Sequence, residues 1–293
     1  MTDYLAGKDV DAPRLSAELL LSNVLSLKRI ELYTNFDQAL DKQHLDRLRD
    51  LVKKAGEHEP VAYLVGKTEF YSIEIEVSPD CLIPRPETEL LVGRAIEFLR
   101  GRKGPQSVCD LCTGSACIAV AIAKNFPHAH ILATDISDGA LKVAARNIEK
   151  YQLAEQITLL NGDLFDPVIP HLDAGKFDLI VCNPPYVSEV EYDALDRNVR
   201  QYEPALSLRA GPDGLDIYRR IADQAWSMVK DDGAIMLEVG YAQGNAVSSL
   251  LDQSGLAADV KIEKDFNDND RIVSAFRRSP PNRRNLPELD LHD

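Results

Sequence analysis

Asn183-Pro184-Pro185-Tyr186 follows directly on an apolar run, Phe177–Cys182, and its residue types suit one kind of chemistry. Two consecutive prolines fix the backbone and delete two N–H donors, which leaves the carbonyls of the segment as acceptors. The Asn183 side-chain oxygen and the Pro184 carbonyl can each take one N–H of a planar NH₂ group. Tyr186 offers a flat face to pack on that group. An amide or an exocyclic base amine fits such a site; in both, the nitrogen lone pair is delocalised and weakly nucleophilic. Holding both N–H bonds while the nitrogen is aimed at an electrophilic carbon is catalysis by positioning and electrostatics, and it requires no metal.

A second group of residues points to the donor of that carbon. Asp110-Leu111-Cys112-Thr113-Gly114-Ser115-Ala116 closes an apolar strand-like run with a turn of small residues, and Asp135 ends the next strand-like run. Such a turn lets a ligand lie against backbone and a helix N-terminus, and an acid one strand later reaches ribose hydroxyls. A pyrophosphate requires G-x-G-x-x-G so that N–H groups crowd its oxygens. Here Gly114 is the one glycine, with Cys112 and Ala116 where others would help. S-adenosylmethionine has no phosphate to cradle and tolerates this looser turn. Asp110 is then placed to orient the ligand's amino-acid portion, directly or through water.

The elements that must hold these residues alternate. Helices are expected over Glu87–Leu99, Ser115–Asn125, Ser137–Lys150, Gly214–Val229 and Gln243–Gln253. Strands are expected over Ser107–Leu111, His130–Thr134, Ile157–Leu160, Phe177–Cys182, Ala234–Glu238, Asp259–Glu263 and Arg271–Arg277. Repeated β-α-β units predict a mostly parallel, Rossmann-like sheet covered by helices on both faces, of the S-adenosylmethionine-dependent methyltransferase type. Upstream the periodicity is helical. Asp11 reads as an N-cap for Pro13–Leu25, whose apolar stripe is Leu15, Leu19 and Leu20; Asp41–Ala55 and a short turn at Pro60–Gly66 follow. Ile73, Ile75 and Val77 then alternate with acids, as in a half-exposed strand or hairpin. The division expected is a helical substrate-binding domain over 1–67, a hairpin linker over 68–84, the methyltransferase domain over 85–279, and a loose tail over 280–293.

Composition narrows the partners. The 293 residues carry 33 basic against 47 acidic side chains, a net charge of −14, which argues against a protein living by phosphate contacts. The longest apolar run, Ala116–Ala123, is far below the roughly 20 residues of a membrane span. The acidic start lacks a signal-peptide pattern, and five cysteines, three of them within Cys109–Cys117, are poor material for a disulfide framework. A cytoplasmic chain with free thiols is expected. Cys109-x-x-Cys112 lacks a His or second pair at ligand spacing, and the six histidines have no motif context, so no metal is expected.

These residues together resemble the peptide chain release factor glutamine methyltransferases, the HemK/PrmC family, over all but the last dozen or so residues. Pro84-Arg85-Pro86-Glu87-Thr88-Glu89 resembles the segment before that family's methyltransferase domain, and Asn183–Tyr186 is identical to its NPPY motif. Tyr202-Glu203-Pro204-Ala205-Leu206 and Asp213-Gly214-Leu215 are also similar to family segments. The resemblance implies methyl transfer from S-adenosylmethionine to the side-chain amide nitrogen of the glutamine in the GGQ motif of class-1 release factors, with the N-terminal helices gripping the factor. It places the cofactor loop on Asp110 and Cys112–Ala116, the ribose acid on Asp135, and an adenine-side residue on Leu164, beside Asp163. Cys112 and Ala116 stand where the family often has glycine, and Leu164 where an aromatic can stand. Asn183, Pro184 and Tyr186 are the expected catalytic residues, with Pro185, Arg85 and Glu87 added on the substrate side. NPPY is shared with adenine-N6 methyltransferases of nucleic acids, which must extract a base from its stack and bring a basic groove. A ribosomal-protein glutamine methyltransferase is the nearer alternative, and a non-catalytic factor-binding protein would show a degenerate motif.

Overall fold

The computed structural model describes residues 1–278 except Phe36 and Gln38. The tail expected over 280–293 lies outside the described residues. Five helices open the chain: α1 (Thr2–Ala6), α2 (Pro13–Leu25), α3 (Glu31–Thr34), α4 (Lys42–Gly56) and α5 (Val61–Val65). Leu5, Ala17, Leu20, Val24, Leu48, Leu51 and Ala55 form a small core of their own among them. Asp41 caps α4 by accepting from the His44 N–H at 2.8 Å. Asp11 does not cap α2: Ala12 occupies that place with no side-chain cap. The Asp11 carbonyl instead accepts from the Ser16 hydroxyl at 3.0 Å. The expected stripe on α2 is also rotated. Leu20 is buried, but Leu15 and Leu19 are 40% and 36% exposed, and Ser16, Ala17 and Val24 complete the inner face.

A hairpin follows, β1 (Lys67–Phe70) and β2 (Ile73–Glu76), paired antiparallel. It is not a free connection. Phe70, Ile73, Ile75 and Val77 are buried in the same cluster as the helices of the main sheet. Asn147 fastens it there, donating to the Glu76 carbonyl at 3.0 Å and accepting from the Glu76 N–H at 2.8 Å.

The main body alternates as expected: α6 (Thr88–Arg100), β3 (Gln106–Leu111), α7 (Cys117–Asn125), β4 (Ala129–Asp135), α8 (Asp138–Lys150), β5 (Ile157–Asn161) and β6 (Phe177–Cys182). Two short helices, α9 (Glu189–Ala194) and α10 (Arg197–Tyr202), then precede α11 (Asp216–Met228), β7 (Val229–Glu238), α12 (Gly244–Asp252), β8 (Ala257–Lys264) and β9 (Asp270–Arg277). Helix α9 went unread although its signal is local. Ser188 and Glu191 form a capping box, the reciprocal pairing that opens many helices.

The seven strands run in the order β5-β4-β3-β6-β7-β9-β8, parallel except for β9, which is antiparallel to both neighbours. Side-chain alternation puts Val108, Leu179 and Val181 into one core layer and Cys109, Leu111, Ile180 and Cys182 into the other. Burial on both faces explains the nearly continuous apolar strands. The chain lays β4 and β5 on one side of β3, then crosses to place β6 on the other. Strand order therefore reverses between β3 and β6, and the crevice at their carboxyl ends is where such sheets bind ligands.

Candidate active site

That crevice holds a cavity of about 210 Å³. Cys112, Thr113, Gly114 and Ser115 line it from the end of β3, and Asp135 from the end of β4. Asp163 and Leu164 follow β5, and Asn183 and Pro185 follow β6. Four separate strand ends thus converge on residues read from the sequence.

The turn after β3 is tightly wound. Cys112, Gly114 and Ala116 have φ of 55°, 56° and 61°, a left-handed region in which a Cβ is disfavoured. This is the physical reason glycine suits the first and last of these positions, and the chain accepts a Cys and an Ala there. The turn wraps around Asp110, whose Oδ2 accepts from the Thr113 hydroxyl at 2.6 Å. Asp110 is fully buried and lies off the cavity wall. From that place it can act on a ligand only through the turn above it or through water. Burial pushes its carboxyl up to about 7, and its Oδ1 has no partner. Ala116 is also off the wall, fully buried as the cap residue of α7, so the helix begins at Cys117 and not Ser115.

Asp135 sits on the wall and serves the turn as well. Its two oxygens accept from the Gly114 N–H at 2.8 Å and the Ser137 N–H at 2.9 Å. Burial raises its pKa above the usual carboxylate value against those two hydrogen bonds. Leu164 is left-handed at φ 47° and buried, its carbonyl taken by the Thr134 hydroxyl at 3.2 Å. Asp163 pairs with Arg220 of α11 at 2.7 Å.

At the end of β6 the NPPY segment is held from three sides. The Asn183 Nδ2 donates to the Thr88 hydroxyl oxygen at 3.1 Å. Gln243 donates to the Tyr186 carbonyl at 2.9 Å and accepts from the Gly240 N–H at 3.0 Å. Gly214, at φ 73°, packs so closely that a Cβ there would lie 2.4 Å from the Tyr186 carbonyl oxygen, which accounts for glycine in Asp213-Gly214-Leu215. Asn183 Oδ1 and the Pro184 carbonyl have no partner among the described residues. Pro184 is buried, Tyr186 is half-buried, and burial pushes its phenol up to about 12, so it stays neutral. Neither lines the cavity described above.

Arg85 and Glu87 are likewise off that wall. The Arg85 guanidinium donates to Glu203 Oε1 at 2.5 Å, and the Ile83 N–H donates to Glu203 Oε2 at 3.2 Å. The pair joins the loop before α6 to the segment after α10, whose Pro204 and Leu206 roof the cavity. Arg85 thus ties these two loops together, whatever it also meets on the substrate side. Sequence reasoning missed Asp80–Leu82, Thr88 and Ser137 on the wall. The proline-rich stretch at 79–86 hid the first group because it has no periodicity.

A doubly wound sheet with an NPPY segment and a glycine-bearing turn at its switch point defines a Rossmann-like methyltransferase fold. Two family models match, the PrmC N-terminal domain over residues 1–66 and the methyltransferase small domain over residues 90–208. The release factor glutamine methyltransferase of Rhodopirellula baltica is 41% identical over 276 residues, covering 93% of this chain and 92% of that protein. The enzyme of the same name from Geobacter sulfurreducens is 40% identical, covering 92% of each. Among solved structures, the catalytic domain of hMettl16 in complex with an RNA hairpin shares the fold, with a TM-score of 0.57 at 19% identity over 73% of this chain and 80% of that one. The chain belongs to the release factor glutamine methyltransferase family.

Proposed function

We propose that this chain transfers a methyl group from S-adenosylmethionine to the side-chain amide nitrogen (N5) of the glutamine in the GGQ motif of class-1 peptide chain release factors, in the cytoplasm. The observation that carries the reading is the unpartnered Asn183 Oδ1 on the cavity wall, with the unpartnered Pro184 carbonyl next to it in the chain. Ribosomal-protein glutamine and nucleic-acid adenine remain chemically similar acceptors, but the curated relatives that span this chain carry the release factor in their names.

The residues fit the cofactor. Ser115 lines the cavity with a buried hydroxyl that has no partner, a polar atom waiting for a ligand group. Asp135 would hold the ribose, the turn over Cys112–Ser115 would face the amino-acid portion, and Leu164 would flank the adenine. When bound, S-adenosylmethionine supplies an electrophilic methyl on a sulfonium. The chain does the rest by placement. Asn183 Oδ1 and the Pro184 carbonyl accept the two amide N–H bonds, which fixes the plane of the NH₂ group. Positive charge grows on that nitrogen as its lone pair is used, so both hydrogen bonds strengthen in the transition state. Tyr186, kept neutral by burial, packs a face on the amide without adding charge. The helices of residues 1–66 would grip the factor outside the crevice.

Two substitutions test this division of labour. Asn183→Ala removes an acceptor from the reacting amide. It should lower kcat by about 100-fold or more with S-adenosylmethionine affinity nearly intact. Asp135→Ala should do the reverse, raising the cofactor KM by roughly tenfold or more with a smaller change in kcat. Intact turnover at saturation for Asn183→Ala, with cofactor binding lost, would contradict the assignment.

A further inference from the structure

Pro184 and Pro185 have no N–H to give, so the stretch that must hold an acceptor amide cannot be fixed by donors of its own. Its position has to come from groups that reach in. Among the described residues, two side chains hydrogen-bond to Asn183–Tyr186. The Thr88 hydroxyl accepts from Asn183 Nδ2 at 3.1 Å, and Gln243 Nε2 donates to the Tyr186 carbonyl at 2.9 Å. The first holds one end of the segment and the second holds the other.

Gln243 is anchored at both of its own ends. At the start of α12 its N–H donates to the Gly240 carbonyl at 2.9 Å, and its carbonyl accepts from the Val247 N–H at 3.0 Å. Its side-chain amide faces one way. Oε1 accepts from the Gly240 N–H at 3.0 Å, while Nε2 donates to two carbonyls, Tyr186 at 2.9 Å and Gly214 at 3.3 Å. A flipped amide would set oxygen against two oxygens and NH₂ against an N–H, so the surroundings fix its direction. Two glycines leave it room. A Cβ on Gly214 would lie 2.7 Å from Nε2, and one on Gly240 would lie 2.8 Å from Oε1 and 3.4 Å from the Tyr186 ring. Gly240 therefore meets the glutamine and the tyrosine ring together.

We propose that Gln243 is a positioning residue for methyl transfer: its NH₂ holds the Tyr186 carbonyl and, with Gly240 against the ring, sets the plane in which Tyr186 packs on the acceptor amide. This rests on the reading of the acceptor site given above. With Asn183 fixed at one end and Tyr186 at the other, the two prolines between them have little freedom left, and the Pro184 carbonyl is placed as a result. Asp213-Gly214-Leu215, which touches no reacting atom in that reading, gains a purpose: it supplies the second carbonyl and the clearance for the Gln243 amide. A displacement of about 1 Å at a reacting group can cost on the order of 100-fold in rate. Gln243 is off the cavity wall, so cofactor binding should be spared.

The test compares Gln243→Glu and Gln243→Met with the wild type, reading kcat on a release factor, cofactor affinity by calorimetry, and the Tyr186 carbonyl by ¹³C NMR. Gln243→Glu keeps an oxygen for the Gly240 N–H but replaces the donor; Gln243→Met removes both. Tyr186-Val187 is the one Tyr-Val pair in the sequence, so ¹³C-carbonyl tyrosine combined with ¹⁵N valine reports that carbonyl alone. Both variants should lower kcat by roughly 30-fold, leave cofactor affinity within about threefold, and move the carbonyl signal upfield as its hydrogen bond is lost. Wild-type kcat in either variant, an unmoved carbonyl signal, or cofactor affinity lost in step with kcat overturns the proposal. Gln243→Glu is the sharper of the two, because a glutamine that merely shaped the turn would tolerate it. The carbonyl signal needs no acceptor. A wild-type enzyme that labels no release factor would therefore sink the substrate reading, while the signal still decides whether Gln243 holds Tyr186. Should one variant fail to fold, the other decides alone.

Discussion

Asp110 shows how much a single buried carboxyl governs from within a turn. Its folded-state pKa is about 7 against a reference of 3.8, because burial disfavours the charge more than the Thr113 hydroxyl favours it. The sign follows: below about pH 3.8 both folded and unfolded chains hold the proton and nothing is lost. As pH rises to about 7 the unfolded chain ionises while the folded chain resists, so stability drains away, on the order of a few kcal/mol in all. Asp110→Asn should therefore gain in thermal midpoint relative to wild type as pH is raised from about 5 to about 8. A difference constant across that range would show that Asp110 does not titrate there. At this scale the sequence was legible where chemistry was local. Asn183-Pro184-Pro185-Tyr186 and Asp135 stand at strand ends by the crevice, as their places after apolar runs predict. The partnership of Thr88 with Asn183 was not legible, because 95 residues separate them and only the sheet brings them together. The same holds for the ion pair of Arg85 with Glu203, whose partners lie 118 residues apart.

At the scale of elements, the site depends on loops that cross over one another at the carboxyl edge of the sheet. Gly214 is the sharpest case, since its left-handed backbone lies against the Tyr186 carbonyl and the Gln243 side chain. Gly214→Ala adds a left-handed penalty of about 1–2 kcal/mol and an overlap that pushes on the NPPY segment. It should lower the melting temperature and reduce kcat by at least about tenfold, more than it changes cofactor affinity. Undiminished kcat in a folded Gly214→Ala protein would mean that the segment after β6 is not held from that side. Most strands and long helices were read to within a residue or two because burial on both sheet faces gives short apolar runs between helical stripes. The exceptions have causes. Strand β7 starts five residues earlier than expected, since Asp231, Asp232 and Gly233 interrupt its apolar pattern while its backbone continues. Helix α2 presents Leu15 and Leu19 outward because small residues, Ser16 and Ala17, sit on the side facing α1 and α4, an inversion that hydrophobicity alone does not reveal.

Across the whole molecule the helical start and the sheet are tied at specific points. The Tyr63 hydroxyl of α5 donates to the Cys81 carbonyl at 2.6 Å, and the Tyr202 hydroxyl donates to the Glu57 carbonyl at 3.1 Å. The crevice and the helical start are thus fastened through the very loop that lines the cavity. Charge is the second molecular property: at −14 the chain is a poor partner for a phosphate backbone, although it shares its fold with an RNA-bound catalytic domain. The most direct measurement is methyl transfer from labelled S-adenosylmethionine to a purified class-1 release factor, with its GGQ Gln→Ala variant and a duplex DNA as parallel acceptors. Label on the wild-type factor alone is the predicted result. Label on the Gln→Ala factor, or on the DNA, would contradict it and leave only the methyltransferase fold standing.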